Sequence, residues 1–119
     1  MASKFSRGHL RHRIDIEERI ETQDTAGEIM YIWSPVYKNV PAEISPLSAR
    51  EFVAAQAVQS SVSTKIVIPY KRGIVAKQRA VHRPVGGEVS YYNIAKPIRD
   101  PDTGLEWLTL LASDGVNDG

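Results

Sequence analysis

The clearest regularity in the chain is alternation. In residues 10–20, LRHRIDIEERI, Leu10, His12, Ile14, Ile16, Glu18 and Ile20 share one parity, and Arg11, Arg13, Asp15, Glu17 and Arg19 share the other. A period of two with β-branched Ile is the pattern of a half-buried strand; wound as a helix, the Ile residues would scatter around the cylinder. ETQDTAGE at 21–28 then predicts a turn, because Asp24 can bond its own backbone and Gly27 tolerates positive φ. IMYIW at 29–33 resumes as a second strand, and the two make a hairpin. Ser34-Pro35 breaks the pattern. In residues 36–45, Val40, Ala42 and Ile44 keep one parity, so a strand is predicted to run on through Pro41 as an edge or bent strand, since proline cannot donate to a ladder.

Residues 45–60, SPLSAREFVAAQAVQS, carry the one helix prediction. Ser48 can cap, and Glu51 three residues later completes a capping box. Ala49, Phe52, Val53 and Ala57, with Gln56, form a stripe at helical spacing. A helix of about 10 residues is marginal alone, so this stripe is expected to pack on the sheet. Strands follow at 61–70, 79–83, 88–95 and 105–112. They are separated by a basic loop at 71–78, a turn from Pro84 to Gly87, and the turn Asp100-Pro101-Asp102-Thr103-Gly104. The prediction is a mainly β chain: a small antiparallel barrel or sandwich of about six or seven strands with one short helix. It is read as one domain over 1–119, with loose ends at 1–9 and 113–119.

Composition narrows the function. Fifteen Lys and Arg against 14 Asp and Glu give a net charge of +1, too little for a general nucleic-acid binder. The absence of cysteine excludes a disulfide scaffold, a thiolate zinc site and a cysteine nucleophile. No apolar run is long enough to span a membrane, and none follows the basic start as a secretory signal requires. Of the three histidines, His9, His12 and His82, the first two would point to opposite faces, whereas a metal wants several converging ligands. Glu17 and Glu18 alternate across a strand, and Asp100 and Asp102 are explained by their turn. No Gly-x-Ser-x-Gly or phosphate loop is present. The expectation is a protein that is not an enzyme and uses no cofactor or metal.

Two charged features remain. Lys71, Arg72, Gly73, Lys77 and Arg79, beside Tyr70, are either a solvated basic loop or a surface for phosphates or a partner. Lys4, Arg7, Arg11 and Arg13 precede every acid, whereas residues 15–28 hold six acids. Such a split allows copies to meet head to tail.

The run GHLRHRIDIEERIETQDTAGE, the Trp at position 33, and AEISPLSAREFVAAQAVQSSVSTKIVIPYKRGI together resemble the head-closure (head–tail joining) family of tailed bacteriophages. The family pattern is an LR-x-RI-x-I strand, a T-x-D-x-x-G turn, a Trp strand, PLSGRE before an Ala/Gln-rich helix, and a T-x-x-V-x-I-R-Y strand with a following Gly. Here it is met by Leu10, Arg11, Arg13, Ile14, Ile16, Thr22, Asp24, Gly27, Trp33, Pro46, Leu47, Ser48, Arg50, Glu51, Ala55, Gln56, Thr64, Val67, Tyr70 and Gly73. Tyr92, Ile94 and a Leu-rich strand at 108–111 complete it. Ala49 replaces the family Gly, Pro69 replaces the family Arg, and the 84–88 and 95–104 connections are longer.

The resemblance implies a non-enzymatic virion protein of the neck, assembled in the bacterial cytoplasm. It would form a homo-oligomeric ring under the portal and adaptor, above a tail terminator or tail-tube protein. Its loops would line or gate the channel in transient, non-specific contact with packaged double-stranded DNA. Ring formation needs two unlike patches. The expected complements are an acidic face at Glu17, Glu18 and Glu21 and a basic face at Arg50, next to Glu51, with Lys71 and Arg72. The helix and its approach, through Ser48, Phe52 and Gln56, form a further expected interface. Two rival readings are a tail-completion or terminator-like subunit and an OB-type nucleic-acid-binding barrel using Tyr70, Tyr91 and Tyr92.

Overall fold

The alternating segments pair edge to edge until the sheet closes on itself. The computed structural model describes residues 10–57 and 61–115. Its elements are β1 (His12–Gln23), β2 (Ile29–Pro46), α1 (Ala49–Gln56), β3 (Thr64–Pro69), β4 (Arg79–His82), β5 (Ser90–Arg99) and β6 (Trp107–Asp114). Neighbours in the barrel run β1-β2-β3-β6-β5-β4, every pair antiparallel. Two three-stranded meanders are thus joined along β3–β6 and β1–β4. Of the two architectures left open by the sequence, the six-stranded barrel is the one adopted.

Alternation dictates what fills it. Ile14 and Ile16, Val40 and Ala42, Ile66 and Ile68, Ala80, Ile94, and Leu108, Leu110 and Ala112 point inward and pack together, with Ile74 entering from the loop after β3. Each large aliphatic removed from water contributes about 1.5–3 kcal/mol. The lumen is therefore solid side chain, as expected of a barrel this small.

Ser34-Pro35 does not end a strand: β2 continues through both Pro35 and Pro41. β3 pairs with β2 only over its last residues, from Glu43 to Pro46, so the earlier prolines lie where one edge of β2 is unpaired and a missing N–H costs little. The disruption appears instead as register shifts between Ile14 and Glu17. Asn39, at φ 58°, absorbs the distortion, and its N–H donates to Asp15 Oδ1 at 2.9 Å. Asn is among the few residues that enter the left-handed region readily.

Past the Glu17–Arg79 pair, β1 has, among the described residues, only β2 beside it. Residues 18–23 and 29–34 consequently project as a two-stranded arm, consistent with a molecule 57 Å long and about 30 Å across. Its tip is the predicted turn: Asp24 Oδ1 accepts from the N–H groups of Ala26 and Glu28, and Gly27 sits at φ 82°. The arm leaves the barrel where β3 ends and β4 begins. α1 lies at the opposite end, between the close of β2 and the start of β3.

Two expectations are corrected here. The helical stripe does not pack on the sheet: Phe52 and Val53 are 46% and 73% exposed, and Ala55 is the buried residue of α1. The capping geometry positions the helix, and burial of Phe52 does not. At the other terminus β6 reaches Asp114 and Ser113 is buried, because both residues pair with β5. The expected loose end at 113–119 therefore does not include Ser113 and Asp114; 1–9 and 116–119, and with them Lys4, Arg7 and His9, lie outside the described residues.

Candidate functional site

The arm end gathers most of the chemistry singled out in the sequence. Residues 70–78 connect β3 to β4 as a folded knob. Tyr70 N–H donates to the Glu106 carbonyl at 3.1 Å, and Tyr37 Oη donates to the Arg72 carbonyl at 2.6 Å. The Lys71 ammonium stands 5.4 Å from the Tyr37 ring centre, within cation–π range. Gly73 takes φ 82°, which turns Ile74 into the core. Gln78, itself buried, clasps the loop from within: its Nε2 donates to the Gly73 carbonyl and its Oε1 accepts from Val75 N–H, both at 3.0 Å. Lys77 adopts φ 76° and bonds the Ile94 carbonyl through its N–H. Arg72 and Lys77 are left exposed, and Lys71 half-buried.

The neighbouring turn is held by one carboxylate. Asp100 accepts from the N–H groups of Glu106 and Trp107 at Oδ1 and of Thr103 and Gly104 at Oδ2. These bonds, the one from Glu106 foremost, keep its carboxyl well below the ordinary aspartate range.

Arg79 is not a loop cation. It opens β4, is buried, and lies between two aromatic faces, 4.1 Å from the Trp33 ring centre and 4.6 Å from that of Tyr91. Its Nε and Nη2 both reach Glu17 Oε1 at 2.8 Å. Arg83 lies 3.7 Å from Glu17 Oε2 and also pairs with Asp15. Glu17 is therefore consumed within its own chain, where it fastens the base of the arm to the barrel wall, and is withdrawn from the expected acidic face.

The remaining charges do not sort as the sequence implied. Glu18 and Glu21 are exposed on the arm. Glu18 and Lys77 line one groove of about 490 Å³, with Arg19, Trp33 and Val75. The acidic residues and the basic loop thus occupy the same end of the molecule. Arg50 stands exposed on α1 at the other end, separated from Lys71 and Arg72 by the length of β3, so no single basic face unites them. Glu51 is engaged locally: Lys65 Nζ donates to it at 2.7 Å, and Ser48 N–H donates to its Oε1 at 2.9 Å. The Lys65 bond first, then the Ser48 backbone, hold its carboxyl down at about 2. Gln56 is partly covered and Phe52 exposed.

A family model described as phage head completion protein matches residues 5–115. The chain belongs to the phage head completion protein family. It is accordingly a structural protein of the phage head, a virion component with a role at the head–tail junction, in a family that is not enzymatic. The solution structure of protein SF1141 from Shigella flexneri 2a is similar to it, with a TM-score of 0.71 and 28% sequence identity over 92% of this chain and 96% of that one. No curated protein matches the chain.

With the family in hand, the aromatic residues fall into structural roles. Tyr92 packs against the core, Tyr91 stacks on Arg79, and Tyr70 lies under Arg99 at 5.7 Å. Tyr70 and Tyr92 are turned against the core and Tyr91 is stacked on Arg79, so the three build no shared exposed stacking platform for bases. Trp33, Tyr37 and Gln78, which hold the arm base and the knob, carried no sequence signal of their own beyond the aromatic strand motif. His12 and His82 meet edge to face at 4.8 Å, and burial, with His12 second, lowers the His82 pKa.

Proposed function

We propose that the protein forms a ring in the virion neck, beneath the portal and adaptor, that closes the DNA-filled head and presents the surface on which the tail docks. Residues 1–119 act as one head-completion domain. The observation that carries this reading is family membership combined with a solid barrel: with the lumen filled by Ile, Leu and Ala side chains, any DNA channel must run between copies, which calls for several subunits around an axis. An arm at one end and an exposed helix at the other supply the two unlike patches that a heterologous ring interface needs. Arg72 and Lys77, with Lys71 beside them, are displayed on a knob fixed by Gln78 and Tyr37. A fixed rim of cations facing the channel would hold DNA electrostatically, without reading its sequence.

The test replaces Lys71, Arg72 and Lys77 together by alanine and examines assembled particles. DNA leaking from heads with otherwise normal necks is the expected outcome. Full DNA retention with tails lost would move the knob from the channel to a contact with the adaptor or tail.

A further inference from the structure

The arm and α1 each present apolar surface that the described residues of their own chain leave uncovered. On the arm, Ile20 stands opposite Ile32 and Thr22 opposite Met30. Cross-strand partners share a face, and these rows alternate with Arg19/Trp33 and Glu21/Tyr31, so Ile20, Met30 and Ile32 form one continuous patch. They are 38%, 47% and 48% exposed. Among the described residues no third strand lies beside the arm beyond Glu17, and an isolated two-stranded ribbon is marginal in water. At the far end, the stripe of Ala49, Phe52 and Val53 has the spacing of a packed helix face yet points to solvent. Uncovered apolar surface of this kind marks a contact.

Charge selects the occupant. The arm carries Glu18, Glu21, Asp24 and Glu28 against Arg19 alone. Arm against arm would bring like charges together. Beside α1 runs a groove of about 640 Å³ lined by Arg11 and Lys65 against Glu43 and Glu51, and Arg50 stands exposed on the helix itself, which makes the surroundings of α1 net positive. Glu18 shares the apolar face of the arm, next to Ile20 in the alternation, and is placed to meet such a cation.

We propose that the arm of one copy seats its Ile20/Met30/Ile32 face on α1 of a second copy, with Glu18 toward Arg50. This rests on the ring reading and names the contact that builds it. Because the patches lie at opposite ends of the molecule, the contact is heterologous and repeats from copy to copy.

The chain contains no cysteine, so an introduced pair reports one contact only. Particles are assembled with the protein carrying Ile32→Cys and Phe52→Cys, oxidised mildly, and run on non-reducing gels, with necks imaged in parallel. The expected result is a shift from monomer to a ladder of covalent oligomers of this chain, absent from either single variant. A ring visible in the neck without a ladder overturns the contact and leaves the ring standing; absence of any ring overturns both. An arm cysteine linked to a different virion protein also overturns it. A second readout needs no cysteine: Glu18→Arg and Arg50→Glu should each abolish ring formation and their combination restore it, and failure of that rescue counts against the proposal.

Discussion

At the scale of single residues, Arg79 shows how position changes the meaning of a charge. In sequence it closes a cluster of cations; in the fold it is held between Trp33 and Tyr91 with its fork on Glu17. A guanidinium stacks and forks where an ammonium does neither. Arg79→Lys, which preserves the charge, should therefore lower stability by about 1–3 kcal/mol, summing weakened stacking and a lost charged hydrogen bond. Urea unfolding would show the midpoint falling at constant slope, and an unchanged midpoint would remove Arg79 from its structural role. Nothing local in the sequence reveals this cluster, because Glu17, Trp33, Arg79 and Tyr91 are brought together only by closure of the barrel. Asp24 and Asp100, by contrast, were legible, since an Asx turn uses the residues immediately following the aspartate.

Elements divide along the same line. Strand positions followed from parity, which is local, and so did the helix start. The capping box at Ser48 and Glu51 forms as its spacing requires. Its energetics carry a pH signature. Glu51 has its carboxyl lowered from 4.5 to about 2 by Lys65 and the Ser48 backbone. A carboxyl depressed in the folded state contributes stability that is fully present above its unfolded value and lost as pH falls toward its folded one. Stability should thus fall between about pH 4.5 and about pH 2, and Glu51→Gln should flatten that part of the curve; an identical acid limb in both proteins would contradict the account. Ser48→Ala should cost about 0.5–2 kcal/mol by removing the cap, read by thermal unfolding. What parity and spacing could not give was direction. Phe52 and Val53 lie on a helical stripe that ordinarily faces a core, yet this helix is attached through its cap and Ala55 and turns the stripe outward. The projection of the arm was hidden likewise: residues 18–23 alternate just as residues 12–17 do, and only the short β4, ending its pairing at Glu17, decides where the barrel stops.

The whole molecule is a filled barrel with two unlike ends, an acidic apolar arm beside a cationic knob at one and a solvent-facing helix near Arg50 at the other. Among the described residues the split between early basic and later acidic residues maps onto those ends, because Arg11 and Arg13 sit where β1 begins, on the α1 side, and β1 then runs the length of the barrel into the acidic arm. In the function we propose, the work at this scale is contact: with copies of itself, with the portal side above and the tail side below. Electron microscopy of particles assembled without this protein tests that most directly. The account predicts heads that package DNA, lose it and carry no tails; full heads with tails attached would contradict it.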